Sequence, residues 1–93
     1  MTLDPTGAAG WTDCLAERRV PVSMETDVAE VLIAARALCT LAGATSVTAA
    51  HVTTAASELA HNLWLHATRG GTVTIRLVRQ STRRALTLEA ADD

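Results

Sequence analysis

One short segment of the sequence carries most of the side chains that could do chemistry. Glu58 and Asn62 stand four residues apart where apolar residues recur at helical spacing, so their side chains share one helix face. A glutamate can accept a proton or position a water, and the side-chain oxygen of asparagine is a hard ligand that suits Mg²⁺. His66 follows one turn after Asn62. This pattern favours a site that handles a metal-bound nucleotide.

The same residues have ordinary structural interpretations. A glutamate and an asparagine one turn apart are common on the solvated face of a helix. His66, near the end of the predicted helix, is as compatible with packing or capping as with a nucleotide contact. Trp64 fits a core or interface position better than a base-stacking one. The spacing alone therefore leaves both interpretations open.

The composition limits the protein to one small aliphatic domain. The chain has 93 residues, of which 48% are hydrophobic, and it contains no Phe or Tyr. A chain of this length builds a single small core, and here that core has to be aliphatic. The net charge of −2 gives no whole-chain attraction to nucleic acid. A nucleic-acid partner is not expected.

The cysteines and the amino terminus favour a cytoplasmic protein. Cys14 and Cys39 form no Cys-x-x-Cys pair, so neither a disulfide framework nor a zinc site is expected. Residues 1–10 lack the basic start and apolar run of a secretion signal. The longest apolar stretch, residues 28–42, is shorter than the ~20 residues that cross a bilayer. We expect a cytoplasmic location and no membrane partner.

The first half of the chain predicts a strand and a helix. Residues 1–17 show no sustained periodicity and are expected to form a flexible extension. Residues 18–24 alternate as a short strand, and Pro21 suggests an edge position. Helical spacing then begins at Asp27, which forms a capping box with Glu30, and stops at Gly43.

The second half predicts another helix and a hairpin. Thr45 or Ser46 caps a helix that runs to about Thr68. Its expected buried stripe is Ala55, Ala56, Leu59, Leu63 and Ala67. After Gly71 the period changes to two, with a turn at residues 80–82. The expected fold of residues 18–93 is α+β, a two-layer α/β sandwich in the order strand, helix, helix, strand, strand.

A helix-turn-helix for DNA is an alternative interpretation of the two predicted helices. Its recognition helix would span residues 46–68, which contain no Arg or Lys and include Glu58. A recognition helix normally brings basic side chains to the phosphate backbone. The residue chemistry therefore excludes this alternative.

Residues 55–67 resemble the N box of the GHKL ATPase and kinase superfamily. They contain the pattern Ala-x-x-Glu-Leu-Ala-x-Asn and, overlapping it, the pattern Glu-x-x-x-Asn-x-x-x-His-Ala at residues 58–67. The likeness is greatest to the RsbT-type anti-sigma-factor serine/threonine kinases, and it extends over roughly residues 20–93. It includes Ala34-Ala35-Arg36 in the first helix and the closing hairpin. The resemblance implies the front half of a Bergerat ATP-binding fold.

The resemblance also implies roles for four residues. Glu58 would be the catalytic base that activates a serine or threonine hydroxyl, and Asn62 would bind Mg²⁺. Asp92 matches the aspartate of the family's Asp-x-Gly-x-Gly box, which recognises the adenine amino group. His66 occupies the position of the family histidine. The implied cofactors are ATP and Mg²⁺, which agrees with the need of phosphoryl transfer for positioning and metal neutralisation.

The sequence departs from the family pattern after Asp93. The glycines of that box, the ATP lid with its phosphate loop and the last family strands do not occur in the 93 residues. We therefore interpret the chain as the N-terminal portion of an RsbT-type kinase, and expect it to be inactive alone. The family's partners are a STAS-domain antagonist, which it phosphorylates in stress and sigma-factor control, and a phosphatase regulator.

Two further expectations follow from the missing strands. An uncovered sheet edge invites pairing, so we expect a homodimer or a swapped assembly. A different class of function also remains open at this point: a non-catalytic interaction module that keeps a partner surface on the first helix and does not turn over ATP.

Overall fold

The computed structural model describes residues 12–93, which form three strands and two helices. In chain order they are β1 (Thr12–Val22), α1 (Thr26–Ala42), α2 (Ser46–His66), β2 (Gly71–Gln80) and β3 (Arg83–Asp92). The strands form one antiparallel sheet in the order β1-β2-β3. Both helices pack on the same face of this sheet. The expected α+β class and element order are confirmed.

Strand β1 begins earlier than the sequence predicted. It starts at Thr12 rather than Arg18 and ends at Val22 rather than Met24. Residues 12–17, expected in a flexible extension, instead pair with the far end of β2. The register shifts between Cys14 and Ala16, and this bulge breaks the alternation by which a strand is recognised. Residues 1–11 of the expected extension lie outside the described residues.

Two ion pairs across the strands accompany this early start of β1. Glu17 accepts a hydrogen bond from Arg76 at 3.1 Å, and Asp13 accepts one from Arg79 at 3.1 Å. These partners are about sixty residues apart in sequence, so no local sequence pattern predicts the ion pairs. The edge position expected from Pro21 is confirmed, because β1 has β2 as its neighbour in the described sheet.

Helix α1 uses a different N-terminal arrangement from the expected capping box. The helix begins at Thr26, which places Asp27 inside the first turn. The Asp27 carboxylate accepts hydrogen bonds from the backbone N–H groups of Ser23 at 2.9 Å and Met24 at 3.1 Å. The pairing of Asp27 with Glu30 was therefore wrong. The stop at Gly43 is confirmed, since this residue adopts φ 68° and its N–H bonds to Thr40.

Helix α2 begins at the expected position, but its buried face is rotated slightly from the expected one. The Thr45 hydroxyl accepts a hydrogen bond from the Thr48 N–H at 3.1 Å, and the helix ends at His66. The buried residues of α2 are Val52, Ala56, Ala60 and Leu63. Ala56 and Leu63 were expected, whereas the other three expected residues, Ala55, Leu59 and Ala67, are only half-buried. The small side chain of Ala60 can pack close to the sheet. Leu59 therefore lies at the border of the buried face of α2.

The core lies between the helices and the central strand β2. Val73, Ile75 and Leu77 point from β2 into this layer, as the alternation predicted. On the opposite face Thr74 is also buried, at 7% exposure, between its cross-strand neighbours Arg19 and Glu89. A central strand is screened from both sides, which explains why the expected polar face of β2 is not fully open.

Two glycines allow the chain to pass closely from α2 into β2. Gly70 adopts φ 72°, and a Cβ atom there would overlap the carbonyl oxygen of Val22. Gly71 lies beneath Leu63, and its Cβ would come within 2.7 Å of a Leu63 methyl carbon. A side chain at Gly70 would clash with the end of β1, and one at Gly71 would clash with Leu63 of α2 and with the Ala91 carbonyl of β3.

We predict that Gly70→Ala destabilises the fold much more than Gly43→Ala. Gly43 has a similar φ of 68° but open space around its missing Cβ. Gly43→Ala should cost about 1–2 kcal/mol from backbone strain alone, and Gly70→Ala about 3 kcal/mol or more, since it adds an overlap with backbone. Urea unfolding of both variants measures the difference. Equal costs would show that the close approach to Val22 contributes nothing.

We also predict an acid-sensitive contribution from Asp27. The hydrogen bonds from the Ser23 and Met24 backbone hold the pKa of Asp27 below its ordinary value. The charged form therefore stabilises the fold at neutral pH, and this contribution is lost as the pH falls through the folded-state pKa. The Tm of Asp27→Asn should lie below that of the wild type at neutral pH, and the gap should close on acidification. Glu30→Gln is the control, and a gap that persists in acid would contradict the prediction.

Candidate functional site

Helix α2 carries three of the four predicted site residues. Glu58, Asn62 and His66 occupy consecutive turns, and all three are exposed. Their neighbours Ala60 and Leu63 are buried, which fixes the rotation of the helix about its axis. The positions of the predicted side chains are therefore set by core packing and not by contacts of their own.

The side of α2 that carries Asn62 lies above β3. Thr48 and Val52 line a surface cleft of about 370 Å³ together with Arg84 and Leu86 of β3. From Val52 the same stripe continues at spacings of three and four residues. It passes through Ala55, Leu59, Asn62 and His66. We call this stripe the β3 side of α2.

Glu58 lies outside the β3 side. It is one turn before Asn62 and further from the buried face, so its carboxylate points more directly into solvent. Glu58 and Asn62 share a general side of the helix, as the spacing predicted. They differ in that Asn62, although also exposed, lies somewhat nearer the sheet than Glu58 does.

Asp92 reaches the same end of the molecule from the sheet. It is the cross-strand partner of Gly71, and cross-strand partners point to the same face. Gly71 faces Leu63 of α2, so Asp92 also lies on the helix-covered face, in line with Leu86, Leu88 and Ala90. The N–H of Asp93 donates to the carbonyl of Gly70 at 3.0 Å, which holds the strand end in this register.

The structure places Asn62, His66 and Asp92 at the end of the molecule where Leu63 contacts Gly71. Asn62 and His66 lie on the last turns of α2 near Leu63, and Asp92 is the cross-strand partner of Gly71. Glu58 stands one turn away. Sequence reasoning did not single out Leu63 and Gly71 as supports of the site, although the glycine at the junction between helix and strand is a usable signal of close approach.

The grouped residues form an open surface. Three clefts formed by the described residues are lined by other side chains, and none includes Glu58, Asn62, His66 or Asp92. Within the described part of the chain, His, Cys, Asp and Glu side chains do not gather in threes as a metal cluster would require. An Mg²⁺ ion held by Asn62 would take its remaining ligands from water and phosphate, which is how this ion is commonly bound.

His61 and the two cysteines also carry reactive side chains. The ring of His61 bonds through Nδ1 to the Ser57 carbonyl at 2.9 Å and meets Trp64 edge-on, with ring centroids 6.5 Å apart. Trp64 packs against the core, as expected. Cys14 and Cys39 are free thiols, and burial raises the pKa of Cys39, which disfavours its reactive thiolate.

Comparison of the chain with protein-family models, with curated proteins and with solved structures gives no match. Neither helix of the described region has the length and apolar character needed to cross a membrane.

Proposed function

We propose that this chain carries the N-box portion of an ATP-dependent protein serine/threonine kinase of the RsbT type. One observation supports the proposal most: Asn62 and His66 on α2 and Asp92 at the end of β3 lie at the same end of the helix-covered face. These are the residues to which the N-box resemblance gives nucleotide contacts. They are far apart in sequence, and the pairing of β3 with β2 and the contact of Leu63 with Gly71 bring them to this end of the molecule.

The arrangement suits a nucleotide that lies along the end of α2. In the proposal, Asp92 accepts a hydrogen bond from the adenine amino group. Asn62, one turn before the end of α2, takes a place in the coordination shell of the Mg²⁺ ion that is bound to the phosphates. His66 lies beside the phosphates. The positive charge of Mg²⁺ offsets the charge that develops during phosphoryl transfer.

The exposure of Glu58 fits a protein substrate. A catalytic base for a serine or threonine of another protein has to be reachable by that protein's backbone, and a buried carboxylate would not be. Glu58 stands on the solvent side of α2, one turn from Asn62. In the proposal it accepts the proton of the incoming hydroxyl, and the substrate is the STAS-domain antagonist of a partner-switching pathway.

A non-catalytic interaction module is the second candidate, and one observation favours it. Ile33 and Leu41 on α1 are each 58% exposed, and with Ala37 they form an apolar stripe at four-residue spacing. An exposed apolar stripe on a helix suits a protein partner. If Mg²⁺-ATP binds nowhere on the chain, this candidate replaces the kinase.

We predict distinct defects for Glu58→Gln and Asn62→Ala in phosphate transfer. The test protein is a chimera of residues 1–93 with the glycine box, lid and last strands of an RsbT-type kinase. Glu58→Gln removes the base and should lower transfer to a STAS-domain substrate by ~10²-fold with little change in nucleotide affinity. Asn62→Ala removes a metal ligand and should weaken Mg²⁺-ATP binding itself. Glu30→Gln on α1 is the control, and identical behaviour of the two site variants would contradict the assigned roles.

We predict that the 93-residue chain binds Mg²⁺-ATP weakly. The 93 residues supply no glycine-rich phosphate loop, and each missing charge-assisted contact is worth roughly 1.5–3 kcal/mol. Loss of about three such contacts from a micromolar site forfeits on the order of 5 kcal/mol, which leaves a Kd of a few millimolar. Amide shifts in an NMR titration should move near Asn62, His66 and Asp92.

The control for this titration is the pair of variants Asn62→Ala and Asp92→Ala, each of which should reduce the shifts. Glu30→Gln should not. An unchanged spectrum at millimolar Mg²⁺-ATP, or shifts confined to other parts of the chain, would overturn the proposed nucleotide site.

A further inference from the structure

Strand β3 presents an open hydrogen-bonding edge. In the described sheet its neighbour is β2 on one side. The N–H of Asp93 bonds to Gly70, so the odd-numbered residues of β3 bond toward β2 and the even-numbered ones point their N–H and C=O groups outward. The outward residues are Arg84, Leu86, Leu88, Ala90 and Asp92. Such a row is a template for pairing with another strand.

The other edge of the sheet, β1, is protected against pairing. Pro21 has no N–H to donate, and the bulge between Cys14 and Ala16 distorts the strand. Arg18, the cross-strand partner of the buried Ile75, places a charge on the helix-covered side of this edge. These are the devices by which proteins block edge pairing. The described residues of β3 include neither a proline nor a bulge.

The charges along β3 are complementary to those of the same strand reversed. The strand begins with Arg83 and Arg84, and its other end carries Glu89 and Asp92, followed by Asp93. An antiparallel copy brings the basic start of each strand against the acidic end of the other. We propose that β3 is a self-association edge, at which two copies of this chain pair antiparallel about a twofold axis at Leu88.

The charges and the outward backbone groups select this register. With Leu88 opposite Leu88 of the second copy, Arg84 stands opposite the partner's Asp92 and Arg83 opposite the partner's Asp93. Directly opposed side chains share a face and approach within about 4.5–5.5 Å at Cβ, close enough for ion pairs. A shift to centre the axis on Thr87 places Arg84 opposite an alanine and removes both ion pairs.

A second copy would also bury apolar side chains on the helix-covered side of β3. Leu86, Leu88 and Ala90 are only half-buried at this border, and Leu59, on the β3 side of α2, is half-buried as well. In the proposed register Leu86 stands opposite the partner's Ala90, and the two Leu88 side chains meet. The two cores become one across a continuous six-stranded sheet. Burial of this apolar border favours association in addition to the ion pairs.

The test is sedimentation equilibrium of the full 93-residue chain and its charge-reversal variants, without nucleotide. The wild type should dimerise. Arg84→Glu places two carboxylates opposite each other, and Asp92→Arg places two guanidinium groups opposite each other, so each variant should raise the dimer Kd by about tenfold or more. Arg36→Glu, an exposed charge reversal on α1, is the control and should leave the Kd unchanged.

Mixing the two variants gives the decisive result. An equimolar mixture of Arg84→Glu and Asp92→Arg chains pairs opposite charges at both ends, so it should form a heterodimer with near wild-type affinity. The double variant should self-associate likewise. Thermal melts followed by circular dichroism establish that each variant is folded.

Three outcomes would overturn the proposal. The first is a wild-type chain that stays monomeric at high micromolar concentration. The second is a dimer whose Kd is insensitive to both charge reversals, as that of a swapped assembly would be. The third is a pair of single variants that do not recover affinity on mixing. Because no nucleotide is present, each outcome is independent of the proposed kinase function.

Discussion

The close packing of two alanine-rich helices on the central strand β2 is the contact on which the rest of the structure depends. The chain has no Phe or Tyr, and the largest fully buried side chains are aliphatic. Ala35, Ala56 and Ala60 are fully buried, and their small side chains bring both helices down onto Val73 and Ile75. In a core this thin, each missing or added atom alters the distance between layers. Gly71 at the start of β2 serves the same close approach, since it lies against Leu63 of α2.

Much of this architecture could be predicted from the periodicity of the apolar residues and from the residues that cap and end the helices. The helical spacing, Gly43, Thr45 and the two-residue alternation after Gly71 each gave the correct element in the correct order. These signals are local, since they arise from the chain's own turns and caps. The early start of β1 was not predictable, because a bulge hides its alternation and its ion pairs reach across the sheet to Arg76 and Arg79.

The candidate site shows the same division between local and long-range information. A spacing of four residues was enough to place Glu58 and Asn62 on one general side of α2. It could not show that Asn62 lies nearer the sheet than Glu58 does, because that difference depends on which alanines the helix buries. The orientation of Asp92 depends on its register with Gly71, which is set by strand pairing and by the Leu63 contact. Spacing along one helix carries no information of this kind.

The two proposals meet on the β3 side of α2, and they interact. Asn62 and His66 belong to the same stripe as Leu59, which borders the edge at which a second copy would pair. A twofold axis at Leu88 brings the second α2 toward that stripe, so a nucleotide beside Asn62 and a paired copy would compete for one surface. Asp92 takes part in both, as an adenine acceptor in one and an ion-pair partner in the other. Two ligands that exclude each other weaken each other's binding by the same factor. In these two proposals, self-association and nucleotide binding would be linked through a single helix face, whose position is set by the alanine packing beneath it.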